Sequence, residues 1–489
     1  MPDWTLSKVA SILPDSAWVH VENEQRVVSG ISTYFPTYRP GDIVFLRTGE
    51  MAFGITQETL AREDVRPRLV VVSGEVPAAF EAEAILKVPD PMTALMRMAK
   101  DARGRITAPV VAITGSSGKT STTDLTAHAL RAFGPVYATR ESGNRPRGVA
   151  WNLGCASERD RFVVLELAIG GMADNSKLAR PDVAVFTNIQ LAHVLYHQNL
   201  RTIAERKARI FDGMRRGAPV ILNSGMHEGA YLQKVARKKG LEVIHYGRRA
   251  QDHVVLLGFD ARRGVATIGV DDRRLQLAQC LRHGPHMLEN FMATCAVYHA
   301  LGLPLDQLAE RFASFRVTSG RGEVHRLPVQ SGACVLLNHS YNANPASMRA
   351  ALIHLRNTPT QGRRIAVLGA MAELGDVSAQ EHAKLVAYLG QLKLDRIYTL
   401  GPEFEGIDNL SGHQALDGPE DLLNILGSEV RADDVVMVKG SNATGLNRVV
   451  TTLLNEYAGE TSADVPSGAD ATYARVQAGN CTGMGRGKR

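Results

Sequence analysis

Residues 110–123 read VVAITGSSGKTSTT: a short apolar run, a turn carrying Gly115 and Gly118, then Lys119 and Thr120 opening a helix-forming stretch. Glycines at such a turn let backbone N–H groups approach phosphate oxygens, and the helix N-terminus adds positive potential. A lysine there reaches the β and γ phosphates, and the following threonine hydroxyl suits magnesium. The stretch therefore predicts an ATP site in which Gly115, Ser116, Ser117, Gly118, Lys119, Thr120 and Ser121 hold the nucleotide. Its spacing, G-x-x-G-K-T, is two residues shorter than the general G-x-x-x-x-G-K-[ST] loop, which directs attention to a more particular family.

Working outward, RFVVLELA at 161–168, DVAVFTNI at 182–189 and PVILN at 219–223 alternate with helical stretches. Near-continuous apolar strands of this kind belong to parallel sheets covered on both faces. After Arg321 a second series begins, with ACVLLNHS at 333–340, RRIAVLGAM at 363–371, RIYTLG at 396–401 and DDVVMVKGS at 433–441, and it predicts a Rossmann-like domain. Before the phosphate loop, DIVFL at 42–46 and RLVVVSG at 68–74 stand among Pro and Gly punctuation, as in a small α/β domain. The expected fold class is α/β in three domains: an N-terminal α/β domain over 1–106, a central P-loop parallel-sheet ATPase domain over 107–327 and a C-terminal Rossmann-like domain over 328–458. Residues 459–489 are small, polar and Gly-rich, too poor in large apolar groups to offset ordering entropy, and are expected to form a flexible tail.

Composition narrows the class. A chain of 489 residues with 44% hydrophobic content supports about two to four cores. The net charge is +6, but Lys and Arg are spread among Asp and Glu without aromatic interleaving, which favours small anionic ligands over nucleic acid. Five cysteines (Cys155, Cys280, Cys295, Cys334, Cys481) form no CxxC pair, as expected in a reducing cytoplasm. Neither a signal segment nor a run of about 18 apolar residues is present in the sequence, so no membrane partner is expected.

The short phosphate loop resembles that of the Mur ligases and folylpolyglutamate synthases, and the rest of the chain is similar to the Mur side. TGSSGKTS at 114–121 is followed by SGN at 142–144, LELA at 165–168, TNIQLAH at 187–193, KARIF at 207–211, GPHMLEN at 284–290, SGRGE at 319–323, HSYNANPASM at 339–348, GAMAELG at 369–375 and VKGS at 438–441. These segments follow the order of the D-alanyl-D-alanine-adding branch of the family. The resemblance implies a cytoplasmic, ADP-forming ligase, a monomer or weak homo-oligomer, that uses ATP and Mg2+ to activate a carboxylate as an acyl phosphate and join it to an amine. The N-terminal domain would take the small-molecule acid and the C-terminal domain the amine, an amino acid or dipeptide.

Residue by residue, the resemblance makes Lys119, Glu166, His193 and Lys207 catalytic. Glu166 would share magnesium with Thr120, His193 would ligate a second magnesium, and Lys207 would be carbamylated and become an anionic group on the metal side. Asn290 and His339 would face the adenine and ribose, and Arg321 would reach the nucleotide. Asn144, Ser340, Tyr341, Asn342, Asn344 and Ser347 would lie near the substrates, with Lys439 and Ser441 in the VKGS segment. Without the resemblance, Lys207 reads as a solvated helix lysine and the SYNAN stretch as an Asx-rich turn before a helix.

Several positions depart from the family pattern. Ser32 and Thr33 are followed by Tyr34, Phe35 and Pro36 where acidic and basic groups addressing a UDP-sugar are expected. Leu195 replaces an acidic residue, Met287 an asparagine, Asn338 and His339 a pair of aspartates, and Asn442 an arginine. These changes favour an acid other than a UDP-muramoyl peptide, in a specialised pathway. The alternatives are the cell-wall enzyme that adds D-alanyl-D-alanine to UDP-muramoyl tripeptide, and an ATP-binding scaffold without catalysis.

Overall fold

The apolar runs become the strands of three sheets. The computed structural model describes residues 4–47, 53–62, 65–75, 82–190, 199–260, 264–278, 284, 287–405, 407 and 410–460. His193, Leu195 and residues 461–489 of the expected tail lie outside them. The first sheet holds β1 (Ala17–Val21), β2 (Ile31–Ser32), β3 (Ile43–Phe45), β4 (Leu69–Val72) and β5 (Ala84–Lys87) in the order β1-β5-β4-β3-β2, parallel except for β1.

The central strands are β6 (Val110–Thr114), β7 (Val136–Ala138), β8 (Phe162–Glu166), β9 (Val183–Phe186), β10 (Pro219–Asn223) and β11 (Glu242–Gly247). They run parallel in the order β7-β8-β6-β9-β10-β11. Then β12 (Val254–Asp260), β13 (Val265–Val270) and β14 (Arg273–Leu277) pair antiparallel. The last sheet comprises β15 (Glu323–Val329), β16 (Gly332–Asn338), β17 (Arg364–Gly369), β18 (Arg396–Leu400), β19 (His413–Ala415) and β20 (Val435–Lys439), in the order β15-β16-β20-β17-β18-β19.

The described residues fall into two compact units, within Met1–Asn188, Ile203–Tyr246 and Ala293–Pro304, and within Ile189–Thr202, Gly247–Met292 and Leu305–Arg489. In the second unit, successive residues of each central strand feed opposite cores. Leu337, Leu368 and Met437 pack with Met348, Leu352 and Leu385. Leu336, Val367 and Val436 pack with Leu422 and Val450 on the other side. Helices cover both faces, which explains why these strands read as unbroken apolar runs.

Two features escape that reading. β12 is exposed from Leu257 to Asp260, and β14 and the antiparallel edge strand β15 are half-exposed, so none of the three is an apolar run buried on both faces. β15 begins at Glu323, ahead of the expected domain start at 328. Among the described residues, no helix is long and apolar enough to cross a membrane.

In the first unit, helix Pro146–Cys155 locks the N-terminal sheet to the P-loop sheet. The fully buried Trp4 donates its indole N–H to Gly154 O at 2.7 Å, and Trp151, 2% exposed, donates its own to Ile31 O. A Cβ on Gly154 would lie 2.6 Å from Ile31 Cδ1, so a larger residue there would push the Ile31 side chain aside. Trp151→Phe leaves the Ile31 carbonyl short of its strongest donor and is expected to destabilise the chain by about 1–3 kcal/mol, read as a lowered urea midpoint.

Candidate active site

The phosphate loop is shaped by contacts that exclude a side chain at its first glycine. Gly115 follows β6 at φ +152°, and a Cβ there would sit 1.9 Å from Thr187 Oγ1. Thr187 and Asn188, just past β9, hold the loop from beneath. Thr187 Oγ1 donates to Ser117 O at 2.6 Å, Asn188 Oδ1 accepts from Ser117 N at 2.9 Å, and Asn188 O accepts from Ser116 N at 3.1 Å. Tyr246 supports the same strand end, its hydroxyl lying 3.2 Å from the carbonyls of Phe186 and Thr187. Gly118, left-handed at φ +76°, stands at the N-terminus of helix Lys119–Leu130, whose dipole adds positive potential at the loop.

The chemistry-bearing groups then converge. Thr120 Oγ1 donates to Glu166 Oε2 at 2.6 Å and Asn144 Nδ2 donates to Glu166 Oε1 at 2.7 Å. Glu166 ends β8 and is 2% exposed, while its backbone N–H is held by Thr139 Oγ1 at 2.8 Å. A hydroxyl and a carboxylate beside a phosphate loop form the hard oxygen donor set that magnesium takes together with phosphate oxygens, so Thr120 and Glu166 fit that ion.

Lys119 Nζ donates to Gly115 O at 3.1 Å, and Lys207 Nζ donates to the same oxygen at 2.8 Å. Lys207 closes helix Leu200–Ala208 and is 4% exposed, not solvated as its helix pattern alone suggests. Burial, and then the neighbouring Lys119 charge, push its pKa well below the ordinary lysine range, against a pull from Glu166.

The second unit places the remaining expected residues. Asn290 is buried, with Nδ2 3.1 Å from Met287 Sδ, the residue standing where the family pattern has a second asparagine. The Arg321 guanidinium lies 3.9 Å over the Tyr341 ring. His339 is buried with its Nε2 3.0 Å from His354 Nδ1, so the ring packs against helix Pro345–Asn357. Ser340 Oγ donates to Asn338 Oδ1 at 2.6 Å, and Asn342 Oδ1 accepts from Ala343 N at 2.9 Å. Asn344 and Ser347 form a capping box, Asn344 Oδ1 accepting from Ser347 N at 2.8 Å and Ser347 Oγ from Asn344 N at 3.0 Å. The SYNAN stretch is thus a turn into a helix whose side chains largely satisfy one another. Ser441 is buried at the end of β20, its N–H on Ala370 O.

The sequence reading missed Thr187 and Asn188 as loop supports, although both stand in the quoted TNIQLAH segment. Their place at the carboxyl end of a strand beside β6 is the signal, since ligand-shaping residues of parallel sheets collect there.

Comparison with known proteins agrees with this geometry. Residues 113–298 match the Mur ligase middle domain, and residues 320–442 match the Mur ligase, glutamate ligase domain. A UDP-N-acetylmuramoyl-tripeptide--D-alanyl-D-alanine ligase of Synechocystis is 31% identical over 399 residues, covering 79% of this chain and 84% of its own. The Bacillus subtilis enzyme of that name is 26% identical, covering 88% and 94%. The crystal structure of MurF from Acinetobacter baumannii shares the fold with TM-score 0.77 at 23% identity, covering 93% of this chain and 99% of its own.

Two outcomes follow for the loop. Gly115→Ala forces Cβ into Thr187 and is expected to lower ATP turnover at least about 100-fold, measured as ADP formation. Lys119→Ala should abolish ADP formation while the melting curve stays cooperative; retained turnover would contradict the phosphate-loop assignment.

Proposed function

This chain belongs to the Mur ligase family of ATP-dependent, ADP-forming amide ligases, and from that premise we propose that it joins UDP-muramoyl tripeptide to D-alanyl-D-alanine. The observation that carries the substrate pair is the 31% identity to the Synechocystis ligase across 79% of the chain. A carboxylate oxygen of the acid attacks the γ phosphorus while the bond to ADP breaks. The amine nitrogen then attacks the acyl carbon, and phosphate leaves. Such a transfer depends on alignment and on cations along the phosphates. Lys119 and the first N–H groups of helix Lys119–Leu130 hold the phosphate chain. Thr120 and Glu166 would hold Mg2+, which supplies charge neutralisation on the β and γ oxygens, and His193 belongs to the same proposal as a second ligand.

Lys207 is proposed to act as its carbamate. Only a neutral amine adds carbon dioxide, and burial beside Lys119 favours the neutral form at this position. The product is an anion next to the Lys119 cation, an attractive contact that the neutral amine does not make. Because a cytoplasmic enzyme keeps its thiols reduced, the free, buried Cys155, Cys295 and Cys334 accord with that location.

A second acid is favoured by one feature of the first unit. Ser32 is fully buried and its hydroxyl donates to Asp42 Oδ2 at 2.8 Å, while Phe35–Thr37 forms a short 3-10 turn. The segment is folded onto its own sheet and lacks the charges expected to address a UDP-sugar. One assay separates the readings: ATP, D-alanyl-D-alanine and either UDP-muramoyl tripeptide or a panel of other acids, with phosphate release and product mass recorded. Ligated muramoyl pentapeptide is the expected product; phosphate release only with another acid would replace it. ATP binding without release for any acid would leave a scaffold.

Lys207→Ala should lose most activity, about 100-fold or more if it holds a metal-side anion, and regain part of it with added short carboxylic acids. Full activity in that variant would remove the carbamate.

A further inference from the structure

Helix Pro146–Cys155 buries an amide that the reaction steps above do not use. Asn152 is fully buried, and its Nδ2 donates to Gly148 O at 2.8 Å and to Gly143 O at 3.1 Å. Its Oδ1 accepts from Arg140 N at 2.9 Å and from the Tyr137 hydroxyl at 3.0 Å. An amide has two N–H groups and one oxygen with two lone pairs, so these four contacts use the whole side chain. Arg140 N and Gly143 O both belong to the loop that leads from β7 into the helix. One buried amide thus grips that loop at two points.

The loop needs such a grip. Glu141 and Ser142 are consecutive left-handed residues with side chains, at φ +49° and +53°, a conformation that persists only where neighbouring contacts hold it. Gly143 lies so close to the helix that a Cβ on Gly148 would meet its Cα at 2.5 Å. The Arg140 guanidinium lies 5.3 Å over the ring of Trp151, the neighbour of Asn152 in the helix. The next residue of the loop is Asn144, whose carbonyl accepts from Ala168 N at 2.9 Å and whose Nδ2 donates to Glu166 Oε1 at 2.7 Å. Contacts therefore run from Asn152 through Gly143 and Asn144 to the carboxylate whose other oxygen meets Thr120.

We propose that Asn152 is a positioning residue for the magnesium site: it sets the loop so that Asn144 holds the Glu166 carboxylate in one orientation toward the ion. The inference rests on the proposal that Thr120 and Glu166 hold Mg2+. That ion demands near-octahedral geometry, so it is sensitive to the rotation of a carboxylate ligand. Outer groups that orient a ligand are typically worth about 10- to 100-fold in metal affinity. None of the four partners of Asn152 belongs to the phosphate loop, so its loss should fall on the metal and spare the nucleotide.

The test measures metal binding itself. Mn2+, which takes the same hard oxygen ligands, is titrated into the full chain with ADP bound, and free Mn2+ is read by electron paramagnetic resonance. ADP binding is measured separately in EDTA by calorimetry. Asn152→Ala and Asn144→Ala are each expected to weaken Mn2+ about 10-fold and to leave metal-free ADP affinity within about 3-fold. Because one acts through the other, the double variant should be no more than about 3-fold worse than Asn144→Ala alone; independent effects would multiply to about 100-fold and overturn the proposal. Unchanged Mn2+ affinity with only a lowered melting temperature would make Asn152 merely structural, and equal losses of Mn2+ and metal-free ADP would make its effect general; either overturns it. Should Asn152→Ala fail to fold, Gly148→Ala, which suits a helix, displaces Gly143 from the other side and is expected to weaken Mn2+ at least about 5-fold. Unchanged affinity there also overturns the inference. Glu166→Gln separates the two proposals. If it binds Mn2+ as tightly as the wild type, the magnesium assignment fails and this inference with it; if it loses the ion while Asn152→Ala does not, this inference fails alone.

Discussion

The carbonyl oxygen of Gly115 is the point on which the nucleotide half of the site depends. It accepts from both Lys119 and Lys207, and it is aimed by a backbone conformation that residues with a side chain rarely adopt, with Thr187 Oγ1 filling the space a Cβ would take. Two lysines on one oxygen bring like charges together out of water. Burial, and then that crowding, lower the proton affinity of Lys207, the more deeply buried of the two, and mark a place where negative charge is favoured. Glu166, Thr120 and Asn144 lie around the same loop, which is thus positive and oxygen-lined, a setting that suits a phosphate chain and a divalent cation.

Both units solve the same local problem in the same way. A buried parallel strand ends, a short turn rich in glycine or asparagine follows, and a helix begins. After β6 this produces the phosphate loop; after β16 it produces the SYNAN turn, closed by the Asn344 and Ser347 capping box. Ligand-binding groups collect at such carboxyl edges because the strands are rigid and the loops between them are free to vary.

The parallel strands were legible because burial on both faces makes them continuous apolar runs, and PVILN at 219–223 coincides with β10 residue for residue. The meander β12–β14 and the edge strand β15 were not: β12 is exposed from Leu257 to Asp260, and β14 and β15 are half-exposed, so none of these carries the run that burial on both faces produces. At the site, glycine spacing pointed to the loop after β6, and motif order pointed to Glu166 and Lys207, which the fold brings beside it. Sequence does not reveal what a side chain is tied to: His339 turns onto His354, and Asn344 and Ser347 cap a helix. The burial of Lys207 was equally hidden, since a lysine at a helix end looks solvated until the sheet edge beneath it is known.

Formation of an acyl phosphate is the step proposed for the unit that carries the Gly115 loop, and isotope transfer tests it directly. UDP-muramoyl tripeptide labelled with oxygen-18 in its reacting carboxylate is incubated with ATP, magnesium, D-alanyl-D-alanine and the full chain, and the released phosphate is analysed by mass. Attack of the carboxylate on the γ phosphorus predicts one labelled oxygen in each phosphate formed. Amide product accompanied by unlabelled phosphate would contradict the mechanism.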